Sequence, residues 1–287
     1  MMRYSTISKK AEIRNWCIVY IIMGLLVAFC LLPLIYMVNM AFKPLHELFI
    51  FPPQFFVRSP TLKNFSDLLL AVSSSSVSYL RYLFNSLFVS VITVFVTAVM
   101  ASLGGYSVVK MKPPGGGVIF KIVIAALMFP AQVTTIPRYL VIVKLGLVNN
   151  YLSLILPIAA SAYYFFLMKQ FIEQFPDSLL EAARIDGCGE FKIFGSIVMP
   201  ALAPAWATLM VFSFVASWND YFSPLIYISD DAMKTLPLAL NTISGTGFGR
   251  AGATAASAML MTVPVIIVFM FTQKKIMETM VYSGIKG

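Results

Sequence analysis

The chain has 287 residues, 59% of them hydrophobic and 11% charged, with a formal net charge of +9. That balance excludes an ordinary soluble globular protein, in which about a quarter of residues are charged. No stripe of Lys and Arg interleaved with aromatic residues is present, so the basic excess reads as a membrane-topology signature rather than a nucleic-acid footprint.

Uncharged runs cover Asn15 to Phe42, Tyr82 to Val109, Ile122 to Pro137, Leu145 to Met168, Ile193 to Asn219, and Ala251 to Gln273. Crossing a hydrocarbon core of roughly 30 Å takes about 20 apolar helical residues. The third run is short and bounded by proline, and is expected to extend to Val143. Lipid offers an open backbone no hydrogen-bond partners, so the pattern predicts an all-α polytopic membrane protein with six transmembrane helices.

Orientation follows from the cations. Arg3, Lys9, Lys10 and Arg14 precede the first run; Lys110, Lys112 and Lys121 join the second to the third; Lys274, Lys275 and Lys286 follow the last. Positive charge collects on the cytoplasmic side. Both termini, and the connection around residues 177–200, are therefore expected inside. The first run exceeds a signal peptide's apolar core and lacks a small-x-small cleavage site, so it is expected to remain as an anchor.

From Lys43 to Arg81 the chain turns rich in Pro, Phe and Ser. FPPQFF at 51–56 suggests an amphipathic element at a membrane surface, and the serine run at 73–76 a hinge. His46 is the only histidine. A His-based metal site or catalytic triad is thereby excluded. Cys17, Cys30 and Cys188 stand at no ligand spacing, implying neither disulfide nor metal.

The glycines of KPPGGG, after the second run, lack the strand and Lys-Ser/Thr that a phosphate-cradling loop requires. Gly245-Thr246-Gly247-Phe248-Gly249 likewise has no basic partner. Nothing here binds nucleotide, so any uphill transport needs a separate ATPase chain.

Pro130 and Pro137, with Gln132, Thr134 and Thr135 between them, predict a bend in the third span: a path-lining helix or a packing kink. Arg138 and Lys144 suit the outer interface, where long cations snorkel. Tyr163 to Phe166 suits an interfacial aromatic belt. In the fifth span, ASWNDYFSPLIY at 216–227 places Trp218, Asn219 and Tyr221 where aromatic faces and an amide suit a sugar. Asp220 is either an intramembrane functional acid or an exposed residue at the outer interface. The small residues AGATAASA open the sixth span and permit close helix approach.

The stretch DSLLEAARIDGCGEFKIFGSIVMP, Asp177 to Pro200, reads as two short helices around a glycine elbow. Ser178 and Glu181 stand in capping-box spacing. Gly187 and Gly189 are expected to end the first helix in the left-handed conformation. Glu190 to Met199 is expected to restart as helix. A polar knob between two spans is a docking surface.

The ordered set Glu181, Ala182, Ala183, Asp186, Gly187, Ile197 and Pro200 resembles the EAA loop of binding-protein-dependent ABC importer permeases. The longer run resembles the carbohydrate-uptake, maltose-permease-like branch, with Cys188 and Met199 departing from its usual alanine and leucine. ASWNDYFSPLIY and TLPLAL at 235–240 are similar to that branch too, as is the MVYSGIKG tail, with Met280 in place of a glycine. The resemblance implies a type I ABC importer transmembrane domain over residues 1–287. Residues 1–80 form the anchor and outer segment, 81–275 a five-helix core, and 176–200 the coupling loop. It implies a non-catalytic, multi-pass subunit of a bacterial or archaeal cytoplasmic membrane. Its implied partners are a second homologous permease, two ATP-binding subunits carrying ATP and Mg, an extracytoplasmic solute-binding protein and a sugar. Trp218, Asn219, Asp220 and Tyr221 would then line the translocation path. An ion-coupled secondary transporter is the alternative class; it requires intramembrane acids or matching broken helices, and only Asp220 approaches this.

Overall fold

The computed structural model describes residues 9–48, 50–73, 77–244 and 251–284. Among these residues all regular structure is helical. Ser74 to Ser76, the glycine cluster at 245–249 and the last three residues of the tail lie outside the described residues. The chain divides into two compact units, Met1–Leu70 with Thr246–Leu260, and Ala71–Gly245 with Met261–Gly287.

The first unit holds α1 (Lys9–Phe42), α2 (Leu45–Leu48), most of α3 (Lys63–Ser73) and the start of α15 (Ala251–Gly284). The apolar run Asn15–Phe42 is one continuous helix, long enough to cross a membrane, with large side chains from Trp16 to Tyr36 exposed. Beyond it, charged groups are buried with partners, as an apolar setting requires. Lys43 Nζ donates to the Gln54 carbonyl at 2.5 Å. The Glu47 carboxylate accepts from the backbone N–H of Arg58 (3.1 Å) and Ser59 (2.8 Å) and from the Ser59 hydroxyl. FPPQFF forms no helix, and Phe51 and Phe56 stand exposed. His46 lies exposed on α2.

The second unit is organised around α4 (Tyr79–Tyr106), which continues as a π-helical segment, Ser107–Met111. Two of the predicted runs in this unit are unbroken helices of spanning length, Tyr79–Met111 and the Ala251–Met277 portion of α15, which begins in the first unit. The other three are not the continuous spans that their apolar composition suggested. α5 (Gly116–Leu127) and α6 (Ala131–Lys144) meet at 116°, α7 (Leu152–Ala159) and α8 (Ala162–Glu173) at 42°, and Glu190–Ala201 meets α12 (Ala203–Trp218) at 79°. Each break has a local cause. Pro130 sits extended before α6; Ser161 starts α8 by accepting from the Tyr163 N–H; Pro204 lies in the first turn of α12. Proline supplies no helical N–H and favours a helix's first turn. Counting each bent pair as one span gives up to six, and counting unbroken helices gives three.

α4 packs along α12, α8 and α7. Ser86, Ser90, Thr93 and Thr97 recur at helical spacing along its buried face. Several hydroxyls in this region bond within their own helix. Thr97 donates to the Thr93 carbonyl (2.6 Å), Ser102 to that of Ala98 (2.6 Å) and, on α12, Ser213 to that of Leu209 (2.7 Å). The crossing contact from Ser217 to Thr93 Oγ1 is long, 3.5 Å. At the start of α4, Asn85 Nδ2 donates to the carbonyls of Ala232 and Lys234, both at 2.8 Å. Ser86 Oγ accepts from the N–H of Leu236, which opens α14 (Leu236–Ser244). Towards the other end Gly105 permits close approach to α8: a Cβ there would lie 3.0 Å from Ile172 Cδ1 and 3.2 Å from the Lys169 backbone nitrogen.

Candidate functional site

The knob consists of α9 (Asp177–Ile185), a four-residue turn, and α10 (Glu190–Ile193). Helix α10 passes into a π-helical segment, Phe194–Val198, and then α11 (Met199–Ala201), so the expected single helix from Glu190 is interrupted. The expected capping box is also corrected. α9 starts two residues earlier than Ser178 requires, with extended Pro176 as its N-cap and no side-chain cap. Ser178 and Glu181 thus both lie inside the helix. Proline wins here because it stops the preceding segment and needs no N–H of its own.

The elbow was half legible. Gly187 has φ +78°, the Gly187 N–H donates to the Arg184 carbonyl, and the Cys188 N–H donates to the Ala183 carbonyl, each at 3.0 Å. These bonds form a Schellman ending with glycine in the left-handed position. Gly189 does not share that conformation; it is extended, φ −71° and ψ 156°, and caps α10.

One face of the knob is core. Leu180, Ala183, Ile193 and Val198 are buried with Tyr106, Tyr164, Met168 and Ile172. The other face is bare. Glu181, Ala182 and Asp186 are exposed, Pro200 is exposed and Ile197 half-buried. Two large apolar side chains stand among them, Ile185 at 86% and Phe191 at 90% exposure. Of the residues expected to couple, Ala183 is therefore a packing residue, and Ile185 and Phe191 extend the exposed face. Nothing in the spacing marked them, because single apolar residues in a short amphipathic helix read as core.

Two contacts fasten the knob to α4 and its π-helical extension. Lys110 Nζ donates to the Phe175 carbonyl and to Asp177 Oδ1, both at 2.6 Å. The Lys110 side chain is 5% exposed. The hydrogen bond from Lys110 holds the Asp177 carboxyl below its ordinary range, and the cation's charge adds to the effect. At the second helix, Tyr106 OH donates to Glu190 Oε2 and Arg184 Nε to Glu190 Oε1, both at 2.7 Å. The Tyr106 ring lies 5.3 Å from that of Phe194.

The structure separates the four residues expected on the path. Trp218 is fully buried in packing, stacked on Phe214 at 5.7 Å, and its indole N–H donates to the Met261 carbonyl. Asn219 and Tyr221 are exposed. Asp220 is half-buried and its Oδ1 accepts from the N–H groups of Phe222 and Ser223, both at 3.0 Å, at the start of α13 (Phe222–Tyr227). Nearby in sequence, Tyr227 stacks on Tyr139 of α6 with ring centroids 6.2 Å apart.

Comparison with known proteins agrees with this architecture. A solved bacterial ABC transporter described as importing the acidic polysaccharide alginate shares the fold, with a TM-score of 0.78 and 21% identity over 93% of this chain and 98% of that one. The arabinooligosaccharides transport system permease protein AraQ of Halalkalibacterium halodurans is 29% identical over 89% of this chain and 91% of its own length. The sn-glycerol-3-phosphate transport system permease protein UgpE of Yersinia enterocolitica is 34% identical over 74% of this chain and 76% of its own. Residues 96–278, which contain the whole knob, match the family model described as the binding-protein-dependent transport system inner membrane component. This chain belongs to that family of ABC transporter permeases.

Proposed function

We propose that this protein is the transmembrane permease subunit of an ATP-driven importer for a sugar or oligosaccharide. It forms half of the translocation path and couples to separate ATPase subunits through residues 177–200. The observation that carries this reading is the knob itself: a short helix pair anchored on one face and bearing Ile185 and Phe191 bare on the other. Exposed apolar groups rimmed by polar ones mark a surface that another protein covers. Its companions are a second permease, two ATP-binding subunits that hold ATP and Mg, and an extracytoplasmic solute-binding protein. The cations flanking the apolar runs support six spans with both termini and the knob in the cytoplasm of a bacterial or archaeal cell. Asn219 and Tyr221 are the most accessible contributors to the path. Asp220 and Trp218 hold the backbone that presents them.

The test is co-expression with an ATPase subunit and a second permease subunit of a sugar importer from the same organism, followed by cross-linking. A cysteine at Phe191 is expected to cross-link to the ATPase chain, and arabino-oligosaccharide or polygalacturonan fragments, offered with a binding protein, are expected to stimulate hydrolysis. Uptake that continues without any ATPase chain would overturn the proposal.

A further inference from the structure

Two unconnected contacts tie the knob to one helix, and both lie at that helix's inner end. Lys110 grips the start of α9 through a carboxylate and a carbonyl. Tyr106 grips the start of α10 through Glu190, whose other oxygen holds Arg184 of α9. The two helices of the knob are thus joined to each other and separately to positions 106 and 110, four residues apart and so adjacent on a helix surface. Position 110 lies in a π-helical segment, and a second such segment, Phe194–Val198, begins with the ring that packs on Tyr106. π-helical turns interrupt the regular hydrogen-bond ladder and recur at functional sites.

We propose that Tyr106 and Lys110 are positioning residues for coupling: they make α4 the helix that receives a displacement of the knob. The proposal rests on the reading that the knob docks on an ATPase. Without the clamp, the knob is held to α4 by apolar contact alone, which is non-directional and tolerates sliding. With it, three short bonds of 2.6–2.7 Å from Tyr106 and Lys110, two of them to carboxylate oxygens, fix the register, and the Arg184–Glu190 pair holds the two knob helices together. Charge-assisted bonds are roughly twice as strong as neutral ones. The knob and the inner end of α4 then move as one body, and α4 carries the motion along α12, α8 and α7.

The test uses the assembled importer in nanodiscs, with Cys17, Cys30 and Cys188 replaced by Ala and a reporter cysteine at Leu87, an exposed position on α4. Maleimide labelling of the reporter is measured with and without ATP plus vanadate. In the parent protein the nucleotide is expected to change the labelling rate. Y106F together with K110M is expected to abolish that difference, and to raise the ATP consumed per sugar moved by about tenfold, as loss of bonds to charged groups implies. Hydrolysis itself and the Phe191 cross-link to the ATPase are expected to persist, which shows that the variant still folds and assembles. K110R on its own is expected to retain the response, and Y106F combined with E190A to do no more harm than E190A alone, because E190A already removes the acceptor of the Tyr106 bond along with the Arg184 contact. A full nucleotide response in the Y106F/K110M variant overturns the proposal and leaves the docking reading intact. So does a parent protein that cross-links through Phe191 but shows no response at Leu87. Absence of the Phe191 cross-link in the parent overturns both.

Discussion

The indole N–H of Trp218 donates to the backbone carbonyl of Met261 at 2.9 Å, joining α12 to α15 three residues before Pro264. A proline inside a helix withholds one N–H and distorts the turn before it. The Leu260 carbonyl loses its usual partner, and the Trp218 bond falls on the adjacent residue. Trp218 is thus a brace beside the proline of α15.

Trp218→Phe keeps an aromatic ring beside Phe214 but removes this bond and part of a fully buried side chain. The lost bond alone is expected to cost about 1–3 kcal/mol, the penalty for a buried polar group left unpaired. Thermal unfolding in detergent should show a lower Tm, with the KM for sugar unchanged. A raised KM at constant Tm would return Trp218 to the path.

At Asp220 the neutral variant is informative. Asn can still accept from the Phe222 and Ser223 N–H groups, whereas Ala cannot. Asp220→Asn is therefore expected to keep uptake near the parental rate, and Asp220→Ala to lose about 1 kcal/mol of stability, as for other helix-start acceptors. Abolition of uptake by Asn would mean that the charge itself is required.

Gly187 has no neighbouring atom within 4 Å of a built Cβ, so only its backbone conformation opposes substitution. Gly187→Val should cost about 1–3 kcal/mol at the elbow. Membrane insertion is expected to survive while sugar uptake per ATP hydrolysed falls. Parallel uptake and ATPase assays measure the ratio, and unchanged uptake would refute the assigned importance of the elbow.

Gly105 presents the opposite case, because space rather than conformation is limiting. Gly105→Ala brings a methyl against the Lys169 backbone and Ile172, with an expected overpacking cost of about 1–3 kcal/mol. A lower Tm that Ile172→Val partly restores would identify the clash.

The segment that follows α1 carries a pH dependence. The Ser59 hydroxyl, with the Arg58 and Ser59 N–H groups, holds the Glu47 carboxyl below its ordinary range. A lowered folded-state value means that the contribution to stability is fully present above the unfolded carboxylate pKa, about 4.3. It fades as pH falls through the lowered value. Stability is expected to be flat in this respect from about pH 5 to 8 and to drop below about pH 4. In Glu47→Gln that acid slope should shrink; thermal unfolding against pH reads it.

The spans and the knob were legible because composition and glycine carry them. A run such as Asn15–Phe42 has one outcome in lipid, and Gly187 occupies a left-handed conformation that glycine, unlike other residues, takes without strain. The bends were less legible. Pro130 announced its break, but Ser161 looks like any serine in an apolar run until its hydroxyl is seen capping Tyr163. Trp218 is hard to read because an indole suits a sugar and a helix brace equally well, and its bond to Met261, 43 residues away, leaves no local signal. Tyr106 and Lys110 were invisible as a pair with Glu190 and Asp177, since partners 67 and 84 residues apart leave no periodicity to read.

The hydroxyl-lined face of α4 has a mechanical consequence. Thr97, Ser102 and Ser213 spend their donors on their own helices, and the Ser217–Thr93 contact across the seam is long, so hydrogen bonds between α4 and α12 add little to the apolar packing that opposes an axial shift. Short side chains present low ridges to climb. The bonds that resist such a shift are therefore concentrated at one end of α4, where Asn85 and Ser86 hold Ala232, Lys234 and Leu236, at the opposite end from Lys110.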